Sequence, residues 1–364
     1  METAISMARD LRPAVAGWQG FLRETSTPDT TFGKACESHL AELKRRRSRS
    51  LADQESVIRR HVDPALAELP CGEIRPAHLE AWIEWQTSQG YAPKTVRKHL
   101  SIVSSVLESA MLSGAIESNP ARQVAKSKLP PRRPRDPDRA ANEVLEPEQV
   151  ARLIWDPRIP ELRRWAWTVL LFSGARLGEF AALEWRDVIR REPLWELKIE
   201  RQWARKAGEL RTPKTDRPRR VPVHPVLSRA IAEMRLWRQR RGLSAEGKEL
   251  LCPSIRGRYL RRWSDRTLLT AWRRDLETLG IPQPSAGPHR LHAARHTFVS
   301  LLLRQGVSEL VIARMTHPGR STGPGSSILV YAHEDWPSLC QAVLRYPLDE
   351  NQRESYARQL SMRI

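Results

Sequence analysis

The sequence predicts a mainly α-helical protein in two lobes, with a small antiparallel β-sheet in the second. Three observations predict it. Residues 31–125 and 225–315 carry apolar positions at helical spacing. Residues 194–224 alternate and turn as strands do. A basic, proline-rich stretch separates the first helical block from the rest.

The first lobe covers 31–125. Thr31 can cap a helix with Phe32, Cys36, His39, Leu40 and Leu43 on its apolar side, ending in Lys44, Arg45, Arg46 and Arg47. A second helix covers 50–62. A third starts at Pro76, a good first-turn residue, and carries Leu79, Trp82 and Ile83. The clearest helix starts at Thr95. Val96, Leu100, Val103, Leu107 and Ala110 follow at steps of four and three, which is one helix face. Lys94, Arg97 and Lys98 lie at its first turn, where cations oppose the macrodipole. Two readings stay open there, a nearby phosphate or a merely solvated basic end. Residues 1–30 are weakly patterned, an N-terminal arm or short helix.

Residues 126–143 read KSKLPPRRPRDPDRAANE. Pro130, Pro131, Pro134 and Pro137 forbid a helix, so this is the expected linker. The second lobe covers 144–335. Its first helix runs from Leu145 to Leu153, with Pro147 in the first turn. ELRRWAWTVLLF (161–172) predicts a buried helix, broken at Ser173-Gly174 and resumed from Leu177 to Leu183. LWELKIER alternates, Ala207-Gly208 marks a turn, and LRTPKTDRPRRVPV completes the strands. The stretch HPGRSTGPGSS (317–327) is a loop by composition. Residues 336–364 read as a helix or a loose tail.

Lys and Arg total 61 against 42 Asp and Glu, a net charge of +19. Such an excess favours a polyanionic partner, because each neutralised phosphate releases condensed counterions. No run approaches the ~20 apolar residues of a membrane span. Arg9 and Arg12 interrupt the N-terminal stretch where a signal peptide would need its apolar core. Cys36, Cys71, Cys252 and Cys340 are scattered without a CxxC pair. That argues against a zinc site or disulfide framework and suits a reducing cytoplasm.

Several residues can carry chemistry, yet each has an ordinary reading. Arg176 follows a break in an apolar helix, but Glu179 three positions on could simply pair with it. His292 and Arg295 share a helix face, but a polar helix start reads the same way. Lys214 lies between two strands, where a lysine is normally solvated. His317 precedes the glycine-rich loop, where a cap is the common role. Tyr331 follows two apolar residues, as a core tyrosine does. What distinguishes these six is their joint order and spacing.

Together they resemble the tyrosine recombinase, or phage integrase, family. Ser173-Gly174-Ala175-Arg176-Leu177-Gly178-Glu179, followed by Trp185 and Asp187, resembles the first arginine motif. Thr212-Pro213-Lys214-Thr215 and then Arg219-Arg220-Val221-Pro222-Val223 resemble the β-hairpin lysine and its next strand. His292-Ala293-Ala294-Arg295 resembles the HxxR box. Met315-Thr316-His317 stands where the family usually has Leu-Gly-His, and Tyr331-Ala332-His333 resembles the nucleophile box. Leu145-Glu146-Pro147 resembles the opening of the catalytic domain, and Asn119-Pro120 the end of the helical core-binding domain. Tyr331 follows His317 by 14 positions, a longer gap than the family shows. Tyr346, the next tyrosine, lacks the Y-x-H context.

The resemblance implies a SAM-like helical core-binding domain (31–125), a linker (126–143) and a mixed α+β catalytic domain of tyrosine-recombinase type (144–335). It implies site-specific DNA cleavage and rejoining through a 3′-phosphotyrosine, with neither cofactor nor metal. Tyr331 would be the nucleophile, Arg176 and Arg295 the phosphate clamp, and His292 a proton acceptor or orienter. Lys214 would be the acid for the leaving 5′ oxygen, and His317 a phosphate ligand. Lys94, Arg97, Lys98, Arg201, Arg205, Lys206, Arg219 and Arg220 are the expected DNA contacts, mostly to phosphates. Expected partners are duplex DNA carrying a specific site and other copies of the chain, as a tetramer on two sites. Residues 336–364 would be the tail that docks on a neighbouring subunit, and accessory bending or directionality factors belong to the same picture. The expected place is the bacterial cytoplasm, at the nucleoid, from a phage or other mobile element. Two rivals share parts of this reading, a type IB topoisomerase and a DNA-binding protein on the same fold without chemistry.

Overall fold

The computed structural model describes residues 30–132, 143–204, 208–212, 218–256, 259–284, 287, 289–316 and 335–361. Of the expected site, Lys214, His317, Tyr331, Arg205 and Lys206 lie outside the described residues, as do residues 1–29 and 133–142. The chain divides into two compact units, 1–137 and 138–364.

In the first unit, α1 (Phe32–Arg45) is capped by the Thr31 hydroxyl, which accepts from the Lys34 N–H at 3.4 Å. α2 (Leu51–Val57) continues through a π-turn (Ile58–Val62) into α3 (Asp63–Leu66). α4 (Pro76–Ser88) and α5 (Pro93–Leu112) each begin on a proline, whose missing N–H would be unpaired there anyway. α5 thus starts two residues before Thr95. Its apolar stripe is as the spacing predicts: Val96, Val103, Val106 and Leu107 are fully buried, together with Phe32 and Leu79. Each such side chain contributes about 1.5–3 kcal/mol on burial.

The second unit opens with α6 (Pro147–Trp155), α7 (Glu161–Ser173) and the single-turn α8 (Leu177–Phe180). Strands β1 (Val188–Ile189), β2 (Glu196–Ile199), β3 (Gln202–Ala204), β4 (Glu209–Arg211) and β5 (Arg219–Pro222) follow. β1, β2 and β5 form an antiparallel sheet in that order, with Leu197 opposite Val221 and Ile199 opposite Arg219. β3 and β4 make a separate hairpin. The expected alternating strand LWELKIER therefore ends at Ile199. In β2, Glu196, Leu197 and Ile199 are all buried, Glu196 with Arg191 (2.8 Å) and Arg220 (3.3 Å) against its carboxylate.

α9 (Pro225–Gln239) is followed by a hairpin, β6 (Ser254–Arg256) and β7 (Tyr259–Arg261), inside a region expected to be all helix. Then come α10 (Asp265–Thr278), α11 (His292–Arg304), α12 (Glu309–Thr316), α13 (Trp336–Leu344) and α14 (Glu350–Ser361). Among the described residues no helix is long and apolar enough to cross a membrane.

The C-terminal segment corrects the expectation of a tail from residue 336. Ala342, Val343, Tyr346 and Leu348 belong to the same core as Trp167, Phe172 and Phe298. α14 contributes no residue to that core. It rests on α6 of its own chain, where the Tyr356 hydroxyl donates to Asp156 Oδ2 at 3.0 Å. Arg353–Glu233 (2.9 Å) and Arg229–Glu350 (3.1 Å) add two ion pairs. Tyr346 is 3% exposed and packs on Phe172, with ring centroids 4.5 Å apart. Burial pushes its phenol above the ordinary range, the opposite of what a nucleophile needs.

The break between α7 and α8 needs glycine. Gly174 has φ 56°, a left-handed conformation that favours glycine over residues carrying a Cβ. A Cβ there would also sit 2.6 Å from Phe298 Cδ1. Gly174→Ala should therefore cost about 2–4 kcal/mol in chemical denaturation, the sum of backbone strain and overpacking. Gly280→Ala, at φ 60° with open space around it, should cost about 1–2 kcal/mol. Equal losses in the two variants would contradict the close packing of α7 on α11.

Candidate active site

The break at Gly174 places Arg176 at the N-cap of α8. Its backbone N–H donates to Glu179 Oε2 at 2.7 Å, and its Nη1 donates to Glu179 Oε1 at 2.8 Å. The ordinary reading of Arg176, a pair with Glu179, is thus present in the structure. A second arginine shares that carboxylate. Arg219 at the start of β5 donates Nη1 to Oε1 (2.9 Å) and Nη2 to Oε2 (2.6 Å), a bidentate fork. Its Nε donates to the Met315 carbonyl at 2.7 Å.

Glu179 is fully buried. Burial alone would raise its pKa. The hydrogen bonds and charge of Arg219, then the backbone N–H and charge of Arg176, outweigh it and hold the carboxyl at about 2. One anion therefore ties three segments together: the α7–α8 turn, the strand after the 212–218 connection, and the end of α12.

Arg295 lies one turn into α11 and is 2% exposed. It donates to the carbonyls of Gly174 and Thr316. Those residues stand two before Arg176 and one before His317. The Thr316 hydroxyl donates back to Ile312 O at 2.6 Å, so the threonine closes α12 where the family pattern has glycine. His292, one turn before Arg295, is exposed at the first position of α11. Loss of water on its packed side, then the charges of His296, Arg295, Arg176 and Arg290, push it down to about 4. It is neutral at pH 7, and a neutral imidazole can accept a proton. The structure thus brings Arg176, His292 and Arg295 together.

The hairpin before Lys214 has a fixed base. Gly178 lets β3 approach α8, since a Cβ there would lie 3.1 Å from the Trp203 carbonyl oxygen. Arg262 stacks over the Trp203 ring at 5.0 Å and donates to Ala181 O at 2.7 Å. Gln202 Nε2 donates to Thr212 O at 2.9 Å.

The expected DNA contacts divide. Arg219 is corrected: its guanidinium is buried and spent on Glu179 and Met315. Arg201 is partly buried, and its Nη2 bridges Asp187 (2.6 Å) and Glu184 (3.2 Å) inside the unit. Arg97 donates to the Pro130 carbonyl in the first unit. Lys94 and Lys98 are exposed on α5. Arg220 is 59% exposed and lies 3.3 Å from Glu196. What sequence reasoning missed is the central place of Glu179 and Arg219. A carboxylate in an otherwise apolar stretch was the available signal, since buried charges need partners.

Replacing Glu179 by Gln leaves two arginines, one of them buried, without their anion. The expected cost is about 3–5 kcal/mol in guanidinium denaturation. The pH dependence has a definite sign. The folded carboxyl is depressed from 4.5 to about 2, so its stabilisation is complete above pH 4.5 and is lost as pH falls towards 2. Wild type should lose stability across that window more steeply than Glu179→Gln. Equal stability and equal acid slopes would contradict the shared-anion arrangement.

Residues 143–317 match the sequence model described as "Phage integrase family", and residues 32–127 match "Phage integrase central domain". The chain is 26% identical over 258 residues to "Tyrosine recombinase XerC" of Xanthomonas axonopodis pv. citri (strain 306), covering 69% of this chain and 73% of that protein. It is 23% identical over 290 residues to "ICEBs1 integrase" of Bacillus subtilis (strain 168), covering 77% and 73%. The Tn1549 transposon integrase in complex with circular intermediate DNA shares the fold, with a TM-score of 0.60 and 17% identity over 84% of this chain and 97% of that one. A lambda integrase tetramer bound to a Holliday junction gives 0.58 and 16%, over 83% and 84%. Two matched segments, in the expected order and around the arginine and histidine motifs, place this chain in the phage integrase family, the tyrosine-type site-specific DNA recombinases.

Proposed function

We propose that the chain cleaves and rejoins duplex DNA at a specific site, with Tyr331 as nucleophile. The Tyr331 oxygen attacks the scissile phosphorus, and a 3′-phosphotyrosine bond forms as the bond to the 5′ oxygen breaks. Lys214 gives that oxygen a proton, which frees a 5′-hydroxyl. A phosphodiester is exchanged for a phosphodiester, so rejoining by a 5′-hydroxyl needs no ATP.

What supports this reading is the joining of Arg176, His292 and Arg295 by the contacts around Gly174, Glu179 and Thr316. Attack builds negative charge on the phosphoryl oxygens, and fixed guanidinium groups stabilise it. Arg176 uses one guanidinium nitrogen on Glu179, which leaves other N–H donors for a phosphate oxygen. Arg295 holds the carbonyls of Gly174 and Thr316 through Nη1 and Nη2, which fixes its guanidinium beside Arg176 and His292. His292, neutral at pH 7, receives or orients the tyrosine proton. His317 follows directly after the carbonyl that Arg295 holds, and its role is to hydrogen-bond the phosphate.

The remaining assignments are of the same standing. Duplex DNA is the partner, contacted at phosphates by Lys94, Lys98 and Arg220. Residues 31–125 form the core-binding domain, and 144–348 the catalytic domain. Four copies act on two sites, with α14 as the segment available to a neighbouring subunit. Accessory bending or directionality factors set the outcome. The working place is the bacterial cytoplasm, and an encoding phage or mobile element agrees with the integrases among the relatives.

A suicide duplex, nicked so that the released fragment diffuses away, tests this reading. Wild type should accumulate a covalent protein–DNA adduct and Tyr331→Phe none. An adduct that persists in Tyr331→Phe would remove the nucleophile assignment. Arg176→Lys should slow adduct formation at least ~10²-fold while DNA binding stays nearly intact, because the charge remains and the fork is lost. Wild-type cleavage in that variant would refute the clamp.

A further inference from the structure

The segment that leads into α11 is held at several points. The His289 backbone N–H donates to Gln283 Oε1 at 3.0 Å, and its Nε2 donates to the Pro282 carbonyl at 3.1 Å. Arg273 Nε, from α10, donates to the His289 carbonyl at 3.2 Å. The next residue makes an ion pair. Arg290 Nε donates to both oxygens of Glu143, at 2.8 and 3.0 Å. The Glu143 side chain has no exposed surface, whereas that of Arg290 is 47% exposed.

A buried carboxylate needs a cation, so the Glu143 end of this pair is structural. The Arg290 end offers more than that role uses. Arg219 engages Nε, Nη1 and Nη2 together on protein acceptors. Arg290 engages Nε alone among the described residues. Its Nη1 and Nη2 carry four N–H donors on a half-exposed side chain, a geometry suited to phosphate oxygens. Its place in the fold is also specific. Arg290 lies two residues before His292, and its carbonyl accepts the Ala293 N–H at 3.0 Å to close the first turn of α11. His292 is exposed there, and the charges of Arg176 and Arg290 both act on its ring.

We propose that Arg290, anchored on Glu143, binds a DNA backbone phosphate within about two nucleotides of the scissile one. The proposal rests on the recombinase reading, in which His292 stands at the scissile phosphate. Two residues of chain span at most ~7 Å. Successive phosphates of one strand rise ~3.4 Å along the duplex axis, so the contacted phosphate is a near neighbour. Such a contact fixes the register of the duplex against Arg176 and His292 and carries no base preference. The anchor removes side-chain freedom before DNA arrives, so less entropy is lost on binding.

The test uses the full chain on its recombination site, mapped from product ends. Methylphosphonates replace single phosphates, one duplex at a time, on either side of the cleavage point. Each removes one backbone charge. Arg290→Gln should lower the slope of log affinity against log salt by about one, alike on the site and on unrelated duplex. A methylphosphonate at one position within about two nucleotides of the scissile phosphate should weaken wild type about tenfold and weaken Arg290→Gln no further. Should that variant fail to fold, Glu143→Gln/Arg290→Gln leaves no charge buried alone and gives the same readings. An unchanged slope, or no position in that range where the two losses coincide, overturns the proposal and leaves the pair a structural clamp. A wild type that forms no adduct on the suicide duplex overturns the recombinase reading itself. A wild type with adduct alongside an unchanged slope in the variant overturns the Arg290 contact alone.

Discussion

One buried carboxylate organises the second unit. Glu179 is fully buried, so the two arginines around it must stay. Arg219 takes both of its oxygens as a fork, and Arg176 takes one oxygen with its side chain and the other with its backbone N–H. Arg219 then reaches Met315, and Arg295 reaches Gly174 and Thr316. Through these bonds, segments far apart in sequence meet at fixed positions. On the proposed function, Arg176 is thus oriented before any substrate arrives, which is where electrostatic catalysis gains most.

The charge excess of +19 describes the chain poorly at this scale. In the second unit many arginines answer the protein's own acids. Glu179 holds Arg176 and Arg219, Asp187 and Glu184 hold Arg201, and Glu196 holds Arg191. Several arginines also lie over tryptophan rings, as Arg262 does on Trp203 and Arg191 on Trp336. These contacts shape the ends of the segments that carry chemistry. On the proposed function, the cations that meet DNA phosphates are exposed ones, such as Lys94, Lys98 and Arg220.

The helical skeleton was legible because periodicity and caps are local. The α5 stripe, the proline starts and the break at Ser173-Gly174 all follow from neighbours within a turn or two. The site was partly legible, through the order of Arg176, His292 and Arg295. What stayed hidden was long-range pairing. Arg219 sits in DRPRR and reads like a phosphate contact, yet its carboxylate lies forty positions earlier. LWELKIER alternates as one strand, but β2 ends at Ile199 and buries Glu196 as well as Leu197 and Ile199. The segment after 336 read as a tail because Trp336–Leu348 is short, and its partners, β5 and the Phe172 cluster, cannot be inferred from its own pattern.

The most direct test of this account is a crystal structure of the protein on its DNA site with the scissile phosphate in place. The account predicts guanidinium nitrogens of Arg176 and Arg295 within hydrogen-bond distance of non-bridging oxygens of one phosphate, with Arg219 still forked on Glu179. A phosphate held instead by Arg219, with Glu179 released, would contradict it.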